Sequence, residues 1–321
     1  MSEASRLAET YSIFAEREAA SRSPLYAQFC QGIAQDEALL DRLAALPPEK
    51  QQPNLLLAAV KYLFGVARDW PQFRMLVEEN WREIEPVIQT RRTQTNEPAR
   101  CATLLPLLTQ LPRPLALLEV GASAGLCLLP DKYAYDYGRR RIGPTVPSPD
   151  APLFHCTANA ATPLPEKNID VVWRAGLDLN PLSVALDDDV RWLQALVWPG
   201  EGERGALLDK AITVARCDPP RVVKGDLRRD LAALAAEAPK GATLVIFHTA
   251  VLAYVSEATD RRAFAQSVRD LGAQWVSNES TRLFEGPELM QRLAGRFLLT
   301  LNGEPKAHTE AHGTTIDWIA S

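Results

Sequence analysis

The sequence predicts an α/β protein: an all-helical first third, then a mostly parallel sheet that ends in an antiparallel hairpin. Three observations predict it. Up to about residue 110, apolar residues recur only at three- and four-residue spacing, the period of buried helix faces. From Leu115 onward, short apolar runs of β-branched character alternate with helical stretches, as in βαβ units. Near the end, two extended runs flank Asn302-Gly303, a dipeptide suited to a tight hairpin turn.

The helical part rests on Ile13, Phe14, Leu25, Tyr26, Phe29, Ile33, Leu39, Leu40 and Leu43, then on Leu55–Val66 and Phe73–Glu85. Pro47, Pro48, Pro53 and Trp70-Pro71 punctuate it. Asn96 followed by Pro98 reads as an N-cap with proline in the first turn. Residues 1–110 are therefore expected to form a helical cap or lid domain, and residues 111–321 the sheet domain.

In the second part, strands are expected at Leu115–Val120, Val171–Ala175, Arg221–Val223, Thr243–His248 and Gln274–Asn278. Helices are expected near Gly125–Lys132, Asp188–Leu196, Arg204–Arg216, Leu227–Glu237, Thr259–Leu271 and Pro287–Leu293. Phe297–Leu301 and Lys306–Ala311 form the hairpin, and Thr314–Ile319 is a candidate last strand. An insertion near residues 133–168, rich in proline, interrupts the sheet domain. Within it Tyr133, Tyr135 and Tyr137 alternate, as in a strand with one aromatic face.

Composition narrows the function classes. The chain has 321 residues, 46% hydrophobic and 23% charged, with a net charge of −5, so no polyanion partner is expected. Its arginine pairs (Arg91–Arg92, Arg139–Arg141, Arg261–Arg262) read as solvated surface, not as a nucleic-acid stripe. The five cysteines are scattered and never spaced as Cys-x-x-Cys, which argues against a disulfide framework or a zinc site. His308 and His312 do not pair at metal-ligand spacing either. No signal segment is read at the start, and the run Ala242–Val255 is too short to span a bilayer. A cytoplasmic protein with a small-molecule substrate, no nucleic acid and no membrane partner is expected.

The strongest chemical signal is Glu119-Val-Gly121-Ala122-Ser123-Ala-Gly125, where a buried strand meets an expected helix start. Small residues there allow a ligand close to the backbone, and a helix N-terminus would supply free amides. A dinucleotide fingerprint would need glycine at 126, which is Leu126, so a nicotinamide oxidoreductase is disfavoured. Two acids follow at the ends of the next strands. Asp178 is placed to accept ribose hydroxyls, with Asp136 as a substitute. Asp226, with Leu227 beside it, is placed to read an adenine. Each of these aspartates alone is more ordinarily a loop or capping residue.

The spacing Glu-x-Gly-x-x-x-Gly is similar to the first motif of class I methyltransferases, with Ser123 where a middle glycine is usual. More broadly, Gln94–Glu97, Leu117–Gly138, Arg174–Pro181, Arg191–Pro199, Lys224–Leu227 and Phe247–Val255 resemble a bacterial protein family of unknown function. That family is assigned a class I S-adenosylmethionine-dependent methyltransferase-like fold, which implies a Rossmann-like sheet here and S-adenosylmethionine as cofactor. Glu119, Gly121, Ala122, Ser123, Gly125, Asp178, Asp226 and Leu227 are then its expected contacts. The resemblance implies no substrate.

His248, at the end of the fourth strand, is the expected catalytic base, because its ordinary pKa lies near neutrality. The bland reading is a buried histidine bonded to its surroundings. Asn278-Glu279, ending the fifth strand, is a lesser candidate for the substrate side. Trp192 and Trp198 read first as core and second as a pocket wall, and Asp187–Asp189 as acids favouring a helix start. The expected function is a methyltransferase acting on a small molecule, the alternative a non-catalytic Rossmann-like binding or regulatory protein.

Overall fold

The computed structural model describes residues 2–94, 96–283 and 295–319; the expected helix at 287–293 lies outside them. The helices are α1 (Glu3–Phe14), α2 (Pro24–Ala34), α3 (Glu37–Ala44), α4 (Pro53–Phe64), α5 (Trp70–Thr90) and α6 (Cys101–Leu108). They continue with α7 (Asp187–Ala195), α8 (Gly202–Cys217), α9 (Leu231–Ala235) and α10 (Ala258–Asp270). The strands are β1 (Leu115–Val120), β2 (Ala134–Asp136), β3 (Arg141–Ile142), β4 (Leu153–His155), β5 (Thr157–Ala158) and β6 (Val171–Asp178). After them come β7 (Val222–Lys224), β8 (Thr243–Thr249), β9 (Gln274–Ser280), β10 (Arg296–Leu301), β11 (Glu304–Glu310) and β12 (Thr315–Trp318).

The chain divides into two compact units, one of residues 2–94 and 186–206, the other of 96–185, 207–283 and 295–319. The division differs from a break near residue 110 at both ends. Residues 96–108 belong with the sheet, because every residue of α6 is buried and Arg100 bonds to β8. Conversely, α7 belongs with the helices. Its Trp192 is fully buried and donates its indole N–H to Arg92 O at 3.0 Å, while Arg91 binds Asp188 and Asp189. Trp198 is likewise core, donating to Asn54 Oδ1 at 3.0 Å with Phe14 5.4 Å away.

In the second unit the main sheet has nine strands in the order β5-β12-β11-β10-β9-β8-β1-β6-β7. The run β7-β6-β1-β8-β9 is parallel throughout and has the doubly wound order, with its reversal between β1 and β8. From β9 outward, β10, β11 and β12 pair antiparallel in sequence order. Asn302 and Gly303 both have positive φ (55° and 87°), as the tight turn requires. The insertion forms a small sheet, β3-β2-β4, and then supplies β5 as a parallel partner of β12.

The expected helix at Gly125–Lys132 is absent. The chain makes only two 3₁₀ turns there, Leu126–Leu128 and Pro130–Lys132. Pro130 is the reason: five residues beyond left-handed Gly125, it lacks an amide and its ring clashes with a helical preceding turn. The irregular segment is fastened instead by side chains. Tyr133 and Tyr135 donate their hydroxyls to Leu126 O (2.8 Å) and Pro130 O (2.6 Å), and Arg174 holds Leu128 O and both oxygens of Asp131. Tyr137 donates to Ala102 O at 2.7 Å, so all three alternating tyrosines are buried anchors.

Tyr133→Phe should lower folding stability by about 1–2 kcal/mol, because it removes a buried hydrogen bond and leaves the Leu126 carbonyl unsatisfied. Urea unfolding followed by tryptophan fluorescence checks this.

Candidate functional site

In an open doubly wound sheet, ligands bind outside the carboxyl ends of the strands where the order reverses. Here that point is the end of β1 against β8, and it carries Glu119 and the glycine turn. Strand β1 is buried at all six positions, and of the turn after it Gly121 is half-buried while Ala122–Gly125 are buried. Gly121, Ser123 and Gly125 have φ of 71°, 52° and 73°, a left-handed backbone that glycine adopts without strain. A Cβ at Gly121 would lie 2.4 Å from Val251, and one at Gly125 2.8 Å from Pro220. These glycines are thus required by the chain's own packing.

The amides of the turn are also largely used within the chain. Gly121 N–H donates to Leu177 O (2.8 Å), Ser123 N–H to Asp178 Oδ2 (2.8 Å) and Gly125 N–H to Ala122 O (2.6 Å). Leu126 N–H donates to Asn96 Oδ1 at 2.8 Å. Asn96 therefore caps this turn, while Glu97 accepts from Ala99 N–H at the start of the following 3₁₀ turn. The free helix N-terminus anticipated after Gly125 does not exist.

The two strand-end aspartates also hold their own loops. Asp178 accepts from Ser123 through one oxygen and from Asn180 N–H through the other (2.7 Å), tying β6 to the glycine turn. Asp226 accepts from the Arg228 backbone and guanidinium, and the Arg228 hydrogen bonds bring its carboxyl down to about 2. Leu227 packs against the core formed by β1, β6, β8, α9 and α10. Asp136, the alternative ribose acid, binds Arg141 and the amide of Gly138 in the small sheet.

His248 is not placed as a base. Side chains alternate along a strand, and the register aligns Glu119 with Phe247 and Val276 on one sheet face. His248 lies on the other face, fully buried, with Phe264 of α10 at 5.6 Å. Its Nε2 accepts from the Trp275 indole N–H at 2.9 Å, which makes Nδ1 the protonated nitrogen that donates to Glu279 Oε1 at 2.7 Å. The same Glu279 oxygen accepts from the amides of Val251 and Leu252, shaping the chain as it leaves β8. His248 is a structural residue, and the expectation of a base is corrected on this point.

The Glu119 face carries a different set of polar groups. Glu119 is buried, and its Oε2 has no hydrogen-bond partner among the described residues. Burial pushes its carboxyl well above the ordinary glutamate range; Cys127 and Asp178 add to the rise and Arg100 opposes it. Arg100, buried, donates from Nε to Ala311 O (2.8 Å) and from Nη1 to the carbonyl and hydroxyl of Thr249 (both 3.2 Å). Asn278, on β9 beside Thr249, accepts from the Thr309 hydroxyl at 2.8 Å, and its buried Nδ2 has no partner among the described residues. Asn278 was visible in the sequence as a lesser candidate. Arg100 was missed, although it is the only charged residue between Glu97 and Arg113.

Among the described residues, no group of three His, Cys, Asp or Glu side chains could hold a metal ion, and no helix is long and apolar enough to cross a membrane. The five cysteines are free, and Cys127 donates to Glu97 O at 3.2 Å.

Fold and site together define an α/β protein with a mixed, mostly parallel sheet and a buried acidic residue at its switch point. The chain belongs to the family described as an uncharacterized protein conserved in bacteria (DUF2332), whose model matches residues 8–318. It matches no curated protein and no solved structure.

Two outcomes check this account. His248→Ala should destabilise the fold by roughly 1–3 kcal/mol, because it leaves the fully buried Glu279 carboxyl without its ring donor. Glu119 should set a pH slope. Above the ordinary value of 4.5, the folded chain keeps a proton that the unfolded chain has released, so stability falls as pH rises towards the elevated folded value. Glu119→Gln should remove that slope, giving a higher urea midpoint than the wild type at alkaline pH and a similar one near pH 4.5.

Proposed function

We propose that this chain binds S-adenosylmethionine at the carboxyl ends of β1, β6 and β7 and transfers its methyl group to a small molecule. The observation that carries the reading is Glu119: a buried carboxyl at the switch point with an orphaned oxygen, followed by a left-handed Gly121–Gly125 turn. A buried acceptor without a partner is costly unless a ligand satisfies it, and a primary ammonium is the matching donor. The residues present fit such a group at its charged end. They fit less well as an amide cradle, because the turn's own bonds consume its N–H groups.

In this reading, Glu119 binds the amino group, the backbone at Gly121, Ala122, Ser123 and Gly125 shapes the floor, and Asp178 keeps that floor in place. Asp178 lies on the ribose side, and Asp226 with Leu227 on the adenine side. S-adenosylmethionine supplies, when bound, a methyl group already reactive enough for direct displacement. The protein's contribution is then alignment and exclusion of water. A second reading has support of its own. With His248 sequestered on the opposite face, the strand end next to the switch point lacks its expected base, which favours a protein that binds the ligand without transferring a methyl.

Calorimetry with S-adenosylhomocysteine tests the binding. Saturable heat is expected, weakened at least tenfold, or about 1.4 kcal/mol, in Glu119→Gln; no heat in the wild type overturns the proposal. Because an ammonium favours ionised Glu119, wild-type affinity should rise with pH above the ordinary glutamate value and towards the elevated value of the free protein, while that of the variant stays flat. Binding without methyl transfer to any compound of a broad metabolite extract would select the second reading.

A further inference from the structure

The polar groups above the Glu119 face contain a second unmet demand, opposite in sign to the first. Arg100 is buried, yet no carboxylate pairs with it among the described residues, and its Nη2 makes no hydrogen bond there. Buried cations are ordinarily paired, since an uncompensated charge in a low-dielectric site is expensive. The guanidinium is held in one pose: Nε and Nη1 are tied to Ala311 and Thr249, and the Phe297 ring lies 6.0 Å from its carbon. Next to Thr249 in the sheet register is Asn278, whose Nδ2 is a buried donor without a partner among the described residues. Its Oδ1 is fixed by Thr309, so the amide is oriented.

Two fixed and unfilled donors at the ends of β8 and β9 constitute a site for an oxyanion. The arginine fork is suited to a planar carboxylate. Glu119, which feels the Arg100 charge, offers an orphaned acceptor on the same sheet face. An acceptor for an ammonium and donors for a carboxylate make up the recognition pattern of an α-amino acid. We infer that Arg100 and Asn278 bind the carboxylate of an α-amino-acid group whose ammonium lies on Glu119. The inference rests on the ligand reading above only for its choice of bearer: the group is either the methionyl end of S-adenosylmethionine or a free amino acid.

Calorimetry on the full chain separates these sources. The wild type is titrated with S-adenosylhomocysteine, with 5′-methylthioadenosine, which lacks the amino-acid group, and with a panel of free α-amino acids. Asn278→Asp, which keeps the acceptor for Thr309 and reverses the donor, and Arg100→Lys are titrated alongside. Expected is at least tenfold tighter binding of S-adenosylhomocysteine than of methylthioadenosine, with that advantage lost in both variants and methylthioadenosine affinity unchanged. Binding of a free amino acid without S-adenosylhomocysteine, weakened in either variant, upholds the inference and discards the cofactor reading. Equal wild-type affinity for the two nucleosides with no amino acid bound, or silence of every amino-acid-bearing compound, overturns it. So do variants that bind as the wild type does. The wild-type titrations decide the matter even if a substitution impairs folding.

Discussion

The burial of β1 on both faces is the constraint on which the rest of the second unit depends. A strand covered at every position must emerge into a turn that finds its hydrogen bonds inside the protein, because unsatisfied backbone groups there are costly. The neighbouring elements are arranged to supply them. Asp178 and Leu177 come from β6, and Asn96 from the segment before α6. On the β8 side, Glu279 gathers two amides and His248, and so sets Val251 against Gly121 at a separation that excludes a side chain. The glycine turn is thus the meeting point of four parts of the chain, and its composition follows from packing before any ligand is considered.

This explains which parts of the protein were legible from sequence. The strands β1, β6, β7, β8 and β9 stand out because apolar β-branched runs bounded by polar helices have few alternatives, and Asn302-Gly303 dictates its own turn. The segment after Gly125 was misread because apolar Leu126–Leu129 looks helical, whereas Pro130 interrupts the helix before it completes two turns. The orientation of His248 was hidden for a different reason. In a strand buried on both faces the polar-apolar alternation disappears, and facing is then decided by register with β1 and β9, which is a property of the assembled sheet.

The candidate site shows the same division. Acids at strand ends are easy to find in a sequence, but their availability depends on partners distant along the chain. Asp178 is engaged by a residue 55 positions earlier, and Asp226 by the neighbouring Arg228. Among the described residues, the buried atoms left without a partner at these strand ends are Glu119 Oε2 and Asn278 Nδ2 on one sheet face and Glu279 Oε2 on the other. Arg100 carried a faint signal, a single charge within an apolar stretch, which acquires meaning only when Thr249 and Phe297 are brought to it.

A turn whose amides are largely committed is poorly suited to recognise an anion as a phosphate-binding loop does, through its backbone. Recognition at this switch point must pass to side chains, and side chains discriminate by charge sign and reach. Glu119 rejects anions and, being pushed towards its neutral form by burial, accepts a cation only where the ligand restores its charge. Arg100 rejects cations beyond it. A group bearing both charges a short distance apart satisfies the two demands together, while a molecule bearing only one leaves a buried polar atom unpaired. For the proposed ligand, a zwitterion is therefore the species that meets both demands, and the reason lies in the same internal bonding that holds the turn closed.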